Sequence, residues 1–463
     1  MIVETLANLA QAAGGKIVAG NPQALVRGAF SDTRVSMPGG LFVALRGERF
    51  DGNVFAGDAV AKCGASAVLL DRPEFAAGLP ANVGVIVVPD SREGFLGIAR
   101  QHRQKLAGAL WFGITGSVGK SSTKEMLAHI LKESAGWHVH KAKASFNNSV
   151  GLSLTVAGAT EDHEAVVLEL GTNHPGEIKP LASVARPDIA LITCAGESHL
   201  EAFGTVADVA REKAQILAYQ SSQDVTILNV DDPHFSYWRA VSAGKVATFG
   251  RSERADVQGR HLRLNEQGCA EFMVRCGSAL AECSLRVLGV HQMMNALSAI
   301  AAAQAAGIKL ADAARALNSF EGVARRLALK DAHGITLIDD AYNANPVSFA
   351  AALETLNKMK APRKFLVAGD MLELGAEAPR YHQDLGRLIA GSELTAVVTV
   401  GPLASLAGAA AVKARSSALD WVPCQTPEEA AAALKSALKP GDVVLLKGSH
   451  GVHLETCVEL LTA

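Results

Sequence analysis

The sequence has no surplus of charge of either sign: 44 Lys and Arg stand against 46 Asp and Glu, a formal net charge of −2. Such a chain exerts no general pull on nucleic acid or an anionic membrane, although a local basic patch can hide within a balanced total. It also lacks paired cysteines. The seven stand apart, at positions 63, 194, 269, 276, 283, 424 and 457, without one Cys-x-x-Cys. That spacing argues against a disulfide framework or a zinc knuckle and fits a reducing, cytoplasmic setting. No uncharged apolar run approaches the roughly 18 residues of a membrane helix, so no membrane insertion is expected. Met1-Ile-Val-Glu-Thr5 has no basic stretch leading into an apolar core, so no secretory leader is expected. There is no fixed-period repeat and no low-complexity linker. What is present is apolar: 49% of residues are hydrophobic and 19% charged, a globular composition with ample core. The length of 463 residues suggests about three domains of ordinary size.

The rest of the chain is arranged around Leu110-Trp-Phe-Gly-Ile-Thr-Gly-Ser-Val-Gly-Lys120-Ser-Ser-Thr-Lys-Glu-Met-Leu127. An apolar run enters a glycine loop and leaves as a helix. At a helix N-terminus the first backbone N–H groups lack intrahelical partners and the dipole favours negative charge, which makes an anion site. Lys120 adds a full charge, and a Ser121 hydroxyl suits magnesium on bound phosphates. The strict Walker spacing is missed, because its first glycine position falls on Ile114. What fits is the shorter Thr115-Gly-x-x-Gly119-Lys-Ser121. The bland alternative, a glycine turn followed by a chance lysine, is disfavoured by the strand before and the helix after.

Residues 1–105 form a first unit, expected to open with a helix and to contain strands at Leu41–Leu45, Ala67–Leu70 and Gly84–Val88. Polar groups at Ser31-Asp-Thr-Arg34, along Pro38–Gly47 and at Asp51-Gly-Asn-Val-Phe55 sit at strand ends and turns and suit a small polar ligand. By residue type alone, ordinary turn chemistry explains them better. A helix near Ser91–Leu106 leads to the glycine loop. Residues 106–322 then alternate strands and helices, as a mostly parallel α/β sheet does, with near-continuous apolar runs at Leu110–Thr115, Ala165–Leu170, Ile189–Thr193 and Val225–Val230. Glu169, His199 and the pair Asp231–Asp232 follow these runs. Ligands of open α/β sheets bind outside the carboxyl ends of the strands, so these side chains are placed to converge on the loop. Short strand-like pieces fill 255–288. His291 and Asn295 then share a helix face at i, i+4, more often helix-start chemistry than a ligand site. Residues 323–463 read as a small doubly wound unit, with strands at Ile335–Asp339, Lys364–Ala368, Ala396–Val400 and Val443–Leu446.

A phosphate loop with Glu169 and His199 at neighbouring strand ends makes a reasonable Mg–ATP site, since hydroxyl and carboxylate oxygens suit magnesium. Spacing stops there: an ATPase, a kinase or an ATP-dependent ligase all fit. Each residue also has a plain explanation. Glu169 suits a paired carboxylate, His199 a hydrogen-bonded loop histidine, Asp231 and Asp232 turn formers before Pro233. Lys213 reads as one charge on a solvated helix face.

Longer strings add more. Phe146-Asn147-Asn148-Ser-Val-Gly151, Glu169-Leu-Gly-Thr-Asn-His-Pro-Gly-Glu-Ile178, His199-Leu-Glu-Ala-Phe-Gly204, Asp339-Asp-Ala-Tyr-Asn-Ala-Asn-Pro346, Gly369-Asp-Met-Leu-Glu-Leu-Gly375 and Leu446-Lys-Gly-Ser449 are collinear across all three units. With them the whole chain resembles the Mur ligases, the ATP-dependent amide-bond ligases of bacterial peptidoglycan assembly, and among these the MurF type. The Asp-Asn-Pro-Arg signature of the MurE type is absent.

The resemblance implies an α/β protein of three domains: a small N-terminal UDP-binding domain (1–105), a central parallel-sheet ATP-binding domain (106–322) and a Rossmann-like C-terminal domain (323–463). It implies ATP, two Mg²⁺ ions and a CO₂-derived carbamate. It also implies UDP-N-acetylmuramoyl-tripeptide and D-alanyl-D-alanine as substrates of a cytoplasmic monomer that binds no nucleic acid. Thr115, Gly116, Ser117, Val118, Gly119, Lys120, Ser121 and Ser122 would hold the nucleotide phosphates. Asn295, Arg326 and Asp340 would complete the nucleotide site. Ser121 and Glu169 would ligate one magnesium and His199 a second, with Lys213 as the carbamate. Lys120, Glu169, His199 and Lys213 would carry the chemistry. Ser31, Arg34, Gly47, Asp51, Gly52, Asn147, Asn148, Asn343, Asn345 and Ser449 would face the substrates. Four positions depart from the family pattern: Val118 replaces Asn, Arg325 replaces Gly before Arg326-Leu327, Ala341 replaces Ser, and Ser121-Ser122 replace two threonines. None removes a charge with an implied role. A ligase adding a single amino acid or glutamate, and a non-catalytic nucleotide-sensing relative, are the competing readings.

Overall fold

A computed structural model of the chain describes all residues except 48, 49, 145 and 416–418, so two positions of the 47–52 stretch lie outside the described residues. Three large sheets organise it.

The first sheet has five strands in the order Lys16–Ala19, Gly84–Val87, Ala67–Leu70, Leu41–Val43, Ala29–Phe30, all parallel except the first. The chain does not open with a helix. It opens with Val3–Thr5, which pairs antiparallel with Leu25–Arg27, and only then turns into the helix Leu6–Ala13, where Thr5 supplies the cap from its side chain.

The central sheet has nine strands. From one edge they run Val139–Lys141, Ala165–Glu169, Leu110–Thr115, Ile189–Ile192, Val225–Asn229, Lys245–Gly250 and Val257–Leu264, all parallel, followed by Cys269–Cys276 and Ala279–Leu288 antiparallel. The apolar runs are continuous because both faces are covered. Phe112, Ile114 and Val167 join one core with the helices Lys120–Ala135 and Gln292–Ala305, while Trp111, Val166 and Leu168 join the other. Successive side chains of a strand point to opposite faces, so adjacent residues enter different cores.

The helix Ser91–Lys105 is N-capped by Asp90, whose carboxylate accepts from the N–H groups of Arg92 and Glu93. Its Phe95 and Ile98 pack into the first unit and its Leu96 and Ala99 into the central one, so it joins the two.

The third sheet has six strands, Ala328–Ala332, Ile335–Asp340, Val443–Lys447, Lys364–Gly369, Ala396–Val400 and Asp420–Cys424, parallel except the first pair. The outermost two were not expected. They are mostly exposed edge strands, and one carries Pro423, so neither has an apolar run to show. Among the described residues no helix is long and apolar enough to cross a membrane.

Candidate functional site

The carboxyl ends of the central strands and those of the third sheet line one cleft of roughly 660 Å³. On the central side the glycine loop passes from Thr115 to the helix Lys120–Ala135, which has no side-chain cap. Its first N–H groups are therefore left for a ligand. Both loop glycines are required. Gly116 has φ +148° and a Cβ there would fall 1.8 Å from Thr193 Oγ1; Gly119 has φ +85° and its Cβ would fall 2.3 Å from Asn295 Oδ1. Ser117 N donates to Cys194 O (2.9 Å), and Thr193 Oγ1 donates to Val118 O (2.6 Å), so the loop is held in shape from the neighbouring strand.

Lys120 folds back onto the loop, its Nζ donating to Gly116 O (2.7 Å). Part of its surface reaches the cleft, yet desolvation holds the ammonium below its ordinary value, partly offset by Glu169. Glu169 is 1% exposed at the end of its strand. Ser121 Oγ donates to its Oε2 (2.8 Å) and Asn147 Nδ2 to its Oε1 (3.0 Å). From the third unit, Arg326 Nη2 donates to the same Ser121 Oγ (3.0 Å), while its guanidinium lies 4.3 Å over the Tyr342 ring. Asp340 Oδ2 accepts from the buried Lys447 Nζ (2.6 Å), which also donates to Asn343 O (3.0 Å). Asn295 Nδ2 donates to Gln292 Oε1 (2.9 Å). Thus Ser117, Val118, Gly119, Lys120, Ser122, Asn147, Asn148, Glu169, His199, Asn295, Arg326, Asp340, Asn343 and Asn345 line one cleft.

Lys213 lies on the helix Val206–Ala214 and does not face solvent: it is 1% exposed. Burial, then the nearby Lys120 charge, lowers its amine to about 7. The solvated-face reading is therefore wrong for this residue. His199 stands in the left-handed region (φ +53°), and its Nδ1 lies 2.5 Å from Glu373 Oε2 of the third unit. Asp232 forms a turn, its Oδ1 accepting from His234 N (2.8 Å), and its Oδ2 also accepts from Ala195 N (2.9 Å). Asp231 is no plain turn former, since its carboxylate accepts from Ser252 N (3.1 Å) beyond the next strand.

Other expected site residues are engaged elsewhere. Ser449 is 4% exposed and off the cleft wall, its hydroxyl accepting from Leu372 N (2.9 Å). Asn345 and Asn148 line the cleft, but their side chains are also taken up as caps, of the helices Pro346–Lys358 and Ser149–Gly158. Ser31, Arg34, Gly47, Asp51 and Gly52 lie on the first unit, outside the cleft lining. Arg34 pairs with Asp32 (2.6 Å) and Asp51 with Arg72 (2.8 Å). Gly52 packs so closely that a Cβ would meet Leu45 O at 2.4 Å.

Three residues were missed. Lys124, one helical turn past Lys120, is 1% exposed, and its Nζ donates to Ala142 O and Ala144 O (2.8 Å each) while standing 4.0 Å from Glu169. It fixes the loop that carries Asn147. Lys447 sat inside a quoted string without a role. His291, read as helix-start chemistry, stands at the N-cap position without a side-chain cap bond and lines the cleft, with a buried Nδ1 that has no hydrogen-bond partner among the described residues. The sequence signal was spacing alone, and burial is what separates these lysines from surface ones.

Among the described residues no group of three or more His, Cys, Asp or Glu stands placed to hold a metal ion. The Ser121 hydroxyl beside the Glu169 carboxylate nonetheless fits Mg²⁺, which keeps several waters and takes phosphate oxygens for the rest.

Residues 114–303 match the family description "Mur ligase middle domain", and 325–450 match "Mur ligase, glutamate ligase domain". The UDP-N-acetylmuramoyl-tripeptide--D-alanyl-D-alanine ligase of Bacillus subtilis is 35% identical over 99% of this chain and 98% of its own length. That of Escherichia coli is 35% identical over 80% of each. MurF from Acinetobacter baumannii superposes with a TM-score of 0.89 at 30% identity over the whole of both chains. Thermotoga maritima MurF, solved with ADP, does so with 0.80 at 27%, over 94% of this chain and 97% of its own. The chain belongs to the Mur ligase family, on its MurF branch.

Proposed function

We infer that this protein is the ATP-dependent ligase that joins D-alanyl-D-alanine to UDP-N-acetylmuramoyl-tripeptide in peptidoglycan synthesis, releasing ADP and phosphate. Full-length similarity to enzymes of that name supports the reading. The observation that carries it is the single cleft in which the glycine loop meets Arg326, Asp340 and Lys447 of the third unit.

The tripeptide's terminal carboxylate attacks the γ-phosphorus of ATP, giving an acyl phosphate and ADP. The dipeptide amine then attacks that carbonyl carbon, and the tetrahedral intermediate expels phosphate and a proton. In this reading the loop N–H groups and Lys120 bind the phosphates, Lys120 leaving Gly116 O to do so. Arg326 bridges from the other wall. Ser121 and Glu169 would hold one Mg²⁺ and His199 a second, and the metal charge would neutralise the phosphates. Fixed positive groups aimed at developing charge act most strongly where water is excluded.

An amine near 7 is substantially neutral at physiological pH, and the neutral form is the one that adds to CO₂. The neutral Lys213 amine would then add to CO₂ and form R–NH–COO⁻ with loss of a proton, placing an anion beside Lys120. Residues 1–105 would bind the UDP portion, 106–322 ATP, and 323–463 the nucleotide and dipeptide, with Ser31, Arg34 and the 47–52 loop in the first role and Asn343 and Asn345 in the last. A cytoplasmic setting accords with seven free cysteines.

The test is product analysis. Purified protein with ATP, Mg²⁺, D-alanyl-D-alanine and either the lysine or the diaminopimelate tripeptide should yield UDP-linked pentapeptide. ATP hydrolysis should depend on both partners. Turnover of ATP without pentapeptide from either tripeptide overturns the assignment.

A further inference from the structure

Glu373 has no role in the reading above, and its surroundings are built. It follows three residues pinned in succession. Asp370 accepts from Ala404 N (2.6 Å), Met371 N donates to Nε2 of the fully buried His382 (2.9 Å), and Leu372 N donates to Ser449 Oγ (2.9 Å). Three separate elements thus fix the stem of one short loop. At its tip Glu373 stands at φ +63°, a left-handed conformation uncommon for a non-glycine residue.

The tip meets the central unit at His199, which is also left-handed. Glu201 N donates to Glu373 O (3.4 Å), and a Cβ on the adjacent Gly375 would lie 3.1 Å from Glu201 Cα, so the two loops touch by backbone as well as side chain. The carboxylate reaches to 2.5 Å from His199 Nδ1, but lies off the direction of a ring N–H, and among the described residues the buried Nδ1 has no aligned hydrogen bond. The carboxylate side chain is 51% exposed and so has room to turn, and catalytic hydrogen bonds are often misaligned in ligand-free proteins.

We propose that Glu373 is a positioning residue supplied across the domain interface: it takes the Nδ1 proton of His199 in a hydrogen bond and so keeps the Nε2 lone pair for the cleft. A histidine whose second nitrogen bonds a carboxylate is fixed in tautomer and orientation and is a more basic ligand. Because Glu373 belongs to the third unit and His199 to the central one, the imidazole is set only while the two are docked. Two left-handed residues, each held by its own loop, make that contact specific in geometry. The inference rests on the ligase reading and on His199 acting in the cleft.

The test uses the full-length protein and three variants, Glu373→Ala, His199→Asn and the double substitution. Glu373→Ala should lower kcat about ten- to a hundredfold, the usual range for removing a ligand's supporting partner, with KM for the UDP-tripeptide unchanged. In the His199→Asn background it should cost nothing more. Glu373→Gln, which keeps an acceptor, should retain a larger share of kcat. Imidazole ¹⁵N spectra of ligand-free protein, with His199 identified by its loss in His199→Asn, should show the Nδ1-protonated tautomer in wild type and a mixture in Glu373→Ala. An unchanged tautomer together with equal losses in both backgrounds overturns the proposal. Full activity of His199→Asn would instead overturn the role of His199 itself, which separates the two failures.

Discussion

Lys213 concentrates the residue-scale argument. Its folded-state amine lies near 7 against an ordinary 10.5. Between those values the unfolded chain binds more protons than the folded one, so stability rises with pH through that window, and the cost of the buried charge is complete below it. Lys213→Met should therefore raise the thermal midpoint at about pH 7 in CO₂-free buffer. That advantage over wild type should shrink by about pH 9; a constant difference across the two pH values would contradict it. The same residue should be indispensable to ligation. Lys213→Ala should lose most pentapeptide formation, with partial recovery in added short carboxylic acids, and an unrescued variant of full activity would remove the carbamate. At Gly119 sterics decide. Gly119→Ala places a methyl 2.3 Å from Asn295 Oδ1 at a left-handed φ. ADP affinity by calorimetry should fall at least about tenfold, the equivalent of about 1.4 kcal/mol, with an unchanged circular dichroism spectrum.

Among the elements, the helix Ser91–Lys105 couples the first unit to the second. Phe95 faces one core and Leu96 the other, each nearly inaccessible. Phe95→Ala should cost about 3–5 kcal/mol and Leu96→Ala about 2–5. Hydrogen exchange should divide them: Phe95→Ala exposes the strands Leu41–Val43 and Ala67–Leu70 first, and Leu96→Ala the central ones. Equal exposure in both variants would mean that the helix belongs to one core only. The helix itself was legible from sequence, and its boundary moved by one residue. Its double allegiance was not, because apolar residues on two faces look the same in a sequence whichever sheet covers them. The edge strands Ala328–Ala332 and Asp420–Cys424 were illegible for the opposite reason: exposure frees them from any apolar pattern.

At the scale of the molecule, the proposed function requires two units to meet. Arg326 is the bridge, bonded to Ser121 and stacked on Tyr342. It sits between Arg325 at φ +59° and Leu327 at φ +52°, so the connecting chain is bent sharply on either side of it. Arg326→Lys keeps the charge and loses the planar stack and the fork. It should lower kcat/KM for ATP about tenfold or more, equivalent to about 1.4 kcal/mol of transition-state stabilisation. An unaltered kcat/KM would show that charge alone suffices.

The sequence by itself determined the α/β class, the positions of the most apolar strands and the glycine loop before a helix, because apolar runs, glycines and a helix start are local properties written in consecutive residues. Strands without a long apolar run, such as Lys16–Ala19, Val139–Lys141 and Lys245–Gly250, were not legible. With the longer strings it also determined the family. Only the tertiary structure decided which polar residues act together. It buried Lys124, Lys213 and Lys447, which in sequence are indistinguishable from solvated lysines, and gave Ser449 a backbone partner away from the cleft. It also brought Glu373 to His199 across 174 positions. Burial and long-range contact arise from how sheets pack, and packing has no signature in the spacing of a few residues.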